Sequence, residues 1–347
     1  MRSAAKIPTD LPQPATRTAL LLFAVSLNAL EFFLPRIPFL PWLKPGLANA
    51  VTIVWIMRYG TADALLYSLM RIWIVGYFFG FSVITVALSL SGAVLSTPAM
   101  GATWRLLGSR GLMGTCGIGI VGALFHNAGQ LLMVYLLLAR NVRVFYQVPF
   151  MLSASVLFGG LVGIAAGHAR DIPDRHRHTM LDLRAVYGET AQTLGIPHAV
   201  FSALIFALSL AIVFIGNPVA LGLAALAATL AVQAAHRGSF ADLLYPVRRF
   251  WMLFLFVAGV HVFLSYGRPV AGIPWATYEG LGETGIQWIR IWTWLQLSML
   301  LRDCRFHTVF LTSLSRLFPA YRATVLAGLL ALEHFPQTVD LTRREGP

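Results

Sequence analysis

Long apolar runs recur along this 347-residue chain, each closed by arginine, proline, glycine or a cluster of polar residues. Several, among them 199–216, 218–235 and 250–266, come close to the run of about 18 apolar residues expected of a helix that crosses a bilayer. Read in order, the pattern predicts ten spans, at 18–34, 46–58, 62–80, 82–104, 112–138, 145–168, 199–216, 218–235, 250–267 and 284–302. The second is short for a span and is expected to be re-entrant or broken. Residues 306–335 are apolar but interrupted by Arg316, Pro319, Arg322 and His334. That spacing predicts an amphipathic stretch lying on the surface.

The polar remainder organises the spans. Residues 170–198 are the longest polar stretch and separate six spans from four. They predict a basic cytoplasmic linker between two membrane modules, 18–169 and 199–336, flanked by tails at 1–17 and 337–347. His168, His176 and His178 in and beside the linker have arginine neighbours that would repel a metal cation, so a solvated linker is expected rather than a metal site. The N-terminal tail carries no distinct cleavage site and is expected to stay in place. The expected fold is therefore all-α, a polytopic membrane protein of six plus four spans with both termini in the cytoplasm.

Composition supports the membrane class: 57% of residues are hydrophobic and 12% charged, too little polar surface to cover a water-soluble core. The net charge of +12 would suggest nucleic acid in a soluble protein. Here the basic residues fall between spans, so no nucleic-acid partner is expected. With the N-terminus inside, 19 lysines and arginines fall on the cytoplasmic side and 5 outside, leaving Arg71 and Arg290 within spans. That asymmetry is the one that orients bacterial inner-membrane proteins. Arg290, near the outer end of its span, is expected to snorkel to the surface. Cys116 and Cys304 show no redox or metal spacing and are expected to pack.

Candidate chemistry lies in polar groups inside apolar spans. Glu31 and Asn28 share a face of the first span, Asn49 opens the second and Arg71 sits near the middle of the third. In the fifth, His126, Asn127 and Gln130 are spaced to lie on one face. Such groups are costly in hydrocarbon and mark functional sites by default. Two readings stand side by side. Glu31, Asn49, Arg71, His126, Asn127 and Gln130 could line a substrate-binding cavity, or they could hold the bundle together by interhelical hydrogen bonds. The literal GxGxxG at Gly117–Gly122 lacks the strand and the following acid of a dinucleotide site. Its glycines, with Gly159, Gly163 and Gly167, predict close helix approach instead. No paired-aspartate motif, P-loop, HExxH or GxSxG occurs. No catalytic residue, cofactor or metal is therefore expected.

Pro45-Gly-Leu-Ala-Asn49 and the run from Gly122 to Gln130, in that order and in those spans, resemble the Gx transporter family, also described as heptaprenyl diphosphate synthase component I. The resemblance covers about 18–169. It implies a six-helix bundle similar to the substrate-binding components of energy-coupling-factor transporters. Tyr245-Pro-Val-Arg-Arg249, Thr277-Tyr-Glu-Gly-Leu281, Leu297–Leu301, Phe318-Pro319 and His334-Phe-Pro336 make 199–336 similar to a shortened transmembrane T component of those transporters. The long coupling helices that grip ATPases are not expected within the chain. The resemblance implies a transporter subunit for a small organic cofactor or isoprenoid-related precursor. ATPase or other transporter subunits are the implied partners. A non-catalytic assembly subunit that anchors a soluble prenyl synthase or a redox complex is the alternative.

Overall fold

The computed structural model describes residues 14–33, 45–79, 82–169, 196–236, 244–264, 267–271 and 273–303. The basic linker, the Pro-rich connection before Pro45, the stretch at 306–335 and Cys304 lie outside these. Among the described residues there are ten α-helices, one at each position where the hydrophobic pattern predicts a span. They are α1 (Pro14–Phe33), α2 (Ala48–Tyr59), α3 (Thr61–Phe79), α4 (Val83–Thr103), α5 (Thr115–Val134), α6 (Val148–Ala169), α7 (Ile196–Ala211), α8 (Pro218–His236), α9 (Tyr245–Leu264) and α10 (Tyr278–Asp303). Pro14 opens α1, where a missing N–H costs nothing.

Continuous helical stretches that are long and apolar enough to cross a membrane are Val83–Gly108, Thr115–Ala139, Val142–Ala169 and Pro218–Ala235. The first two gain length because α4 and α5 each run into a π-helical turn, Trp104–Gly108 and Tyr135–Ala139. Along α8, Val219, Leu223, Leu226 and Leu230 are all exposed, an apolar stripe at helical spacing suited to lipid.

The short second span is a helix of 12 residues. At 1.5 Å per residue it covers about 18 Å, well under the ~30 Å of a hydrocarbon core. Both ends are set by glycine. Gly46 (φ 73°) and Gly60 (φ 89°) occupy the left-handed region, which costs a residue with a Cβ but not glycine. The Gly60 N–H closes the helix on the Ile56 carbonyl.

The helices α4, α5 and α6 pack in series. A Cβ on Gly119 would lie 2.2 Å from the Gly159 carbonyl oxygen, and one on Gly163 would lie 2.3 Å from that of Thr115. Backbone therefore meets backbone between α5 and α6, as the glycine spacing predicts. Cys116, expected as a packing residue, is exposed beside this seam.

One core lies within the first module, where Leu21, Val51, Trp55, Tyr67 and Ile118 are buried together. A second is shared: Trp73, Val83 and Leu138 are buried with Ile212, Val257, Trp294 and Leu297. The hub of this shared core is α10. Its three tryptophans bond three different helices, Trp288 to the Phe254 carbonyl on α9, Trp292 to Thr229 on α8 and Trp294 to the Ser209 carbonyl on α7. Ser298 then accepts the Val83 N–H at the start of α4 across 2.9 Å. At the other end of the shared core Arg140 donates to the Val213 carbonyl and Arg143 to that of Leu264. Cations placed on helix C-terminal carbonyls complement the helix dipole.

The all-α expectation omits one element. An antiparallel hairpin, β1 (Pro269–Val270) and β2 (Ile273–Thr277), precedes α10. The run is too short and too rich in glycine and proline for a helix. Glu279, just inside α10, accepts the Arg268 N–H at 2.8 Å. Hydrogen bonds from its own backbone N–H and that of Arg268 hold its carboxyl below the usual value of 4.5. The stabilisation from this tie is therefore complete above that value and lost as pH falls through the lowered one. Fluorescence of Trp275, stacked on Phe263 at 5.0 Å, is expected to stay constant from pH 7 down to 4.5 and to shift only at lower pH.

Candidate functional site

Three of the expected site residues gather at the start of α2. Glu31, 4% exposed near the end of α1, accepts the N–H of Leu47 through Oε1. A carboxylate there complements the positive end of α2. Asn49, two residues on, accepts from Arg71 Nη2 through Oδ1 at 3.4 Å. Arg71 is 5% exposed in the middle of α3. Its guanidinium carbon lies 6.0 Å from the Tyr67 ring centroid, at the limit of a cation–π contact. Its Nε has no hydrogen-bond partner, and neither does the buried Oγ of Ser68 one turn back. Among the described residues no carboxylate stands within ion-pair distance of Arg71. This buried cation therefore has one long hydrogen bond and no counter-charge among them.

The three α5 residues do not all address one neighbour. Asn127, 8% exposed, donates to Ser155 on α6 at 2.7 Å, and Ser155 in turn donates to the Met151 carbonyl. His126 lies over α4, where a Cβ on Gly92 would fall 2.5 Å from its Cε1. Adjacent helical residues diverge by 100°, so His126 and Asn127 reach different helices although each shares a face with Gln130. Gln130 is buried at 7%. The space beside Gly122 and Gly129 is filled by Met100 and by the Ser91 backbone of α4. The Asn127–Ser155 bond is of the interhelical kind weighed above as the alternative to a cavity.

The structure adds polar groups that the sequence pattern does not single out. Asp63, at the start of α3, bonds Arg17 of α1 at 2.7 Å and the indole N–H of Trp55 at 2.8 Å. Arg17 also lies 4.4 Å above the Tyr59 ring, and Trp55 stacks on Tyr67 at 4.2 Å. Tyr67 thus joins the Asp63 cluster to Arg71 through one aromatic contact on each side. The available signal was Asp63 itself, the last acidic residue before Asp171. In α10, Arg290 does not snorkel. It is 2% exposed and donates to Gln287 at 2.7 Å and to the Ile215 carbonyl at 2.9 Å. Among the described residues no three His, Cys, Asp or Glu side chains form a group able to hold a metal ion.

The Glu31–Asn49–Arg71 cluster and the Asn127–Ser155 bond both fall within the stretch that matches a family model. Residues 20–169 match the family model of heptaprenyl diphosphate synthase component I. The match takes in most of α1, all of α2 to α5 and α6 to its last residue, and with them all six expected site residues. Helices α7 to α10 lie outside it. No curated protein and no solved structure matches the chain.

Proposed function

We propose that the chain is a membrane transporter subunit whose first module binds a small organic molecule carrying an anionic group. A cofactor or an isoprenoid- or quinone-related precursor is the class meant. Arg71 carries this reading. A guanidinium buried in a helix interior without a carboxylate is expensive, and the cost is offset when an anion binds. Asn49, which accepts from Arg71, and Ser68, one turn before it with a buried hydroxyl that has no partner, supply polar groups for the same ligand. The arginine distribution supports ten spans, with both termini in the cytoplasm of a bacterium. On this reading helices α7 to α10 take the place of a shortened T component and carry the contacts to any further subunit.

Arg71→Met separates this function from a structural role. In the purified full chain it is expected to weaken binding of the co-purifying small molecule, identified by mass spectrometry, by about 10- to 100-fold, the loss of one charge-assisted contact. Without ligand, the same variant is expected to melt no lower than the parent, because it removes an unpaired buried charge. Unchanged binding with a large drop in melting temperature would refute the assignment.

A second reading is favoured by the matched family's description. The chain would be a non-catalytic assembly subunit that anchors a soluble prenyl diphosphate synthase or a redox complex at the membrane. Capture of an active prenyl synthase by the full chain, unaffected by Arg71→Met and with no small molecule bound, would select this reading over the first.

A further inference from the structure

The second module has a polar interior of its own. Thr284, Gln287, Arg290, Thr293 and Gln296 recur at every third position of α10, and all are at most 6% exposed. The stripe rises about 18 Å along the helix while winding round it. Some of these groups are satisfied locally. Thr284 and Thr293 return their hydroxyls to the Gly280 and Ile289 carbonyls, each at 2.8 Å. Others are not. Gln296 is fully buried with neither Oε1 nor Nε2 bonded, and Arg290 Nε and His261 Nε2 are also buried without partners. A helix packed dry against α7, α8 and α9 would be served better by leucine at position 296, since an unmet buried polar group is costly in a hydrocarbon setting.

We propose that α10 lines a second, hydrated site within the membrane that admits water and small anions and excludes cations. Water meets the mixed need of Gln296, which offers donors and an acceptor together. The sign follows from the fixed charges. Arg290 is buried and makes no ion pair among the described residues, whereas the α10 carboxylate Glu283 is on the exposed surface. This site stands apart from the Arg71 site and does not depend on how that site functions.

The test uses the full chain in membranes with Cys116→Ser and Cys304→Ser as background. Gln296→Cys is compared with Ile291→Cys, an apolar position on the same helix that is also fully buried. The probes are a sulfonatoethyl and a trimethylammonioethyl methanethiosulfonate, each rate normalised to that with a free thiol. The expected result is labelling at 296 at least tenfold faster than at 291, with the anionic reagent ahead of the cationic one. Equal labelling at 296 and 291 overturns the site, and equal rates for the two reagents overturn its charge selection. Gln296→Leu gives an independent check. A hydrated site leaves the melting temperature unchanged or lowered, whereas a rise of several degrees means that the packing is dry and sinks the proposal.

Discussion

Asp63→Ala is expected to destabilise the first module by about 3–5 kcal/mol, the cost of breaking a buried ion pair by removing one partner. The substitution takes away the carboxylate that Arg17 meets at 2.7 Å and the acceptor of the Trp55 indole. Arg17 is 7% exposed, so the substitution takes a carboxylate away from a charge held largely out of water. The loss can be read as a fall in melting temperature in detergent, or as a failure to recover folded protein. Arg17→Met combined with Asp63→Leu is expected to recover much of it, because an apolar pair of similar volume has no charges to desolvate. If the double variant were as unstable as the single one, the pair would owe its importance to hydrogen-bond geometry rather than charge.

The second large effect is expected at the seam between α5 and α6. Gly119→Val places side-chain carbon where the Gly159 carbonyl oxygen is 2.2 Å away, and the nearest atoms of Gly163 are also backbone. No rotamer relieves a clash with backbone, so the two helices must separate. The cost is about 3 kcal/mol or more, at the upper end of overpacking effects. Gly222→Val on α8 is the matched control, since nothing lies within 4 Å of a Cβ there. It is expected to be neutral or slightly stabilising, as glycine in a helix interior is poor to begin with. Comparable losses in both variants would mean that helix propensity, not close approach, sets the seam.

Those two sites also show what the sequence discloses and what it withholds. The glycines at 119, 159 and 163 are legible because small residues at helical spacing have one common use in apolar helices. The helices themselves are legible for a similar reason, since each apolar run is bounded by residues that cannot continue it. The Arg17–Asp63 pair is not, because its members are 46 residues apart and only the packing of α1 on α3 brings them together. Arg290 is misread for a related cause. Its place near a span end suggests snorkelling, but the Ile215 carbonyl and Gln287 draw it inward. The polar stripe of α10 escapes notice because threonine and glutamine are uncharged, and Gln287, Thr293 and Gln296 are each set between tryptophans, leucines or isoleucines. Among the six expected site residues, the grouping of Glu31, Asn49 and Arg71 depends on the turn at Gly46, a local feature. The parting of His126 from Asn127 depends on which neighbour each meets.

The bond between the Val83 N–H and Ser298 joins residues 215 apart. At 5–20 residues per second of synthesis, the ribosome reaches Ser298 on the order of 10–40 s after Val83. For that interval the start of α4 has to make do with lipid, water or the insertion machinery. The segment that matches a family model is thus synthesised first and completed last, by a serine that lies outside the matched residues.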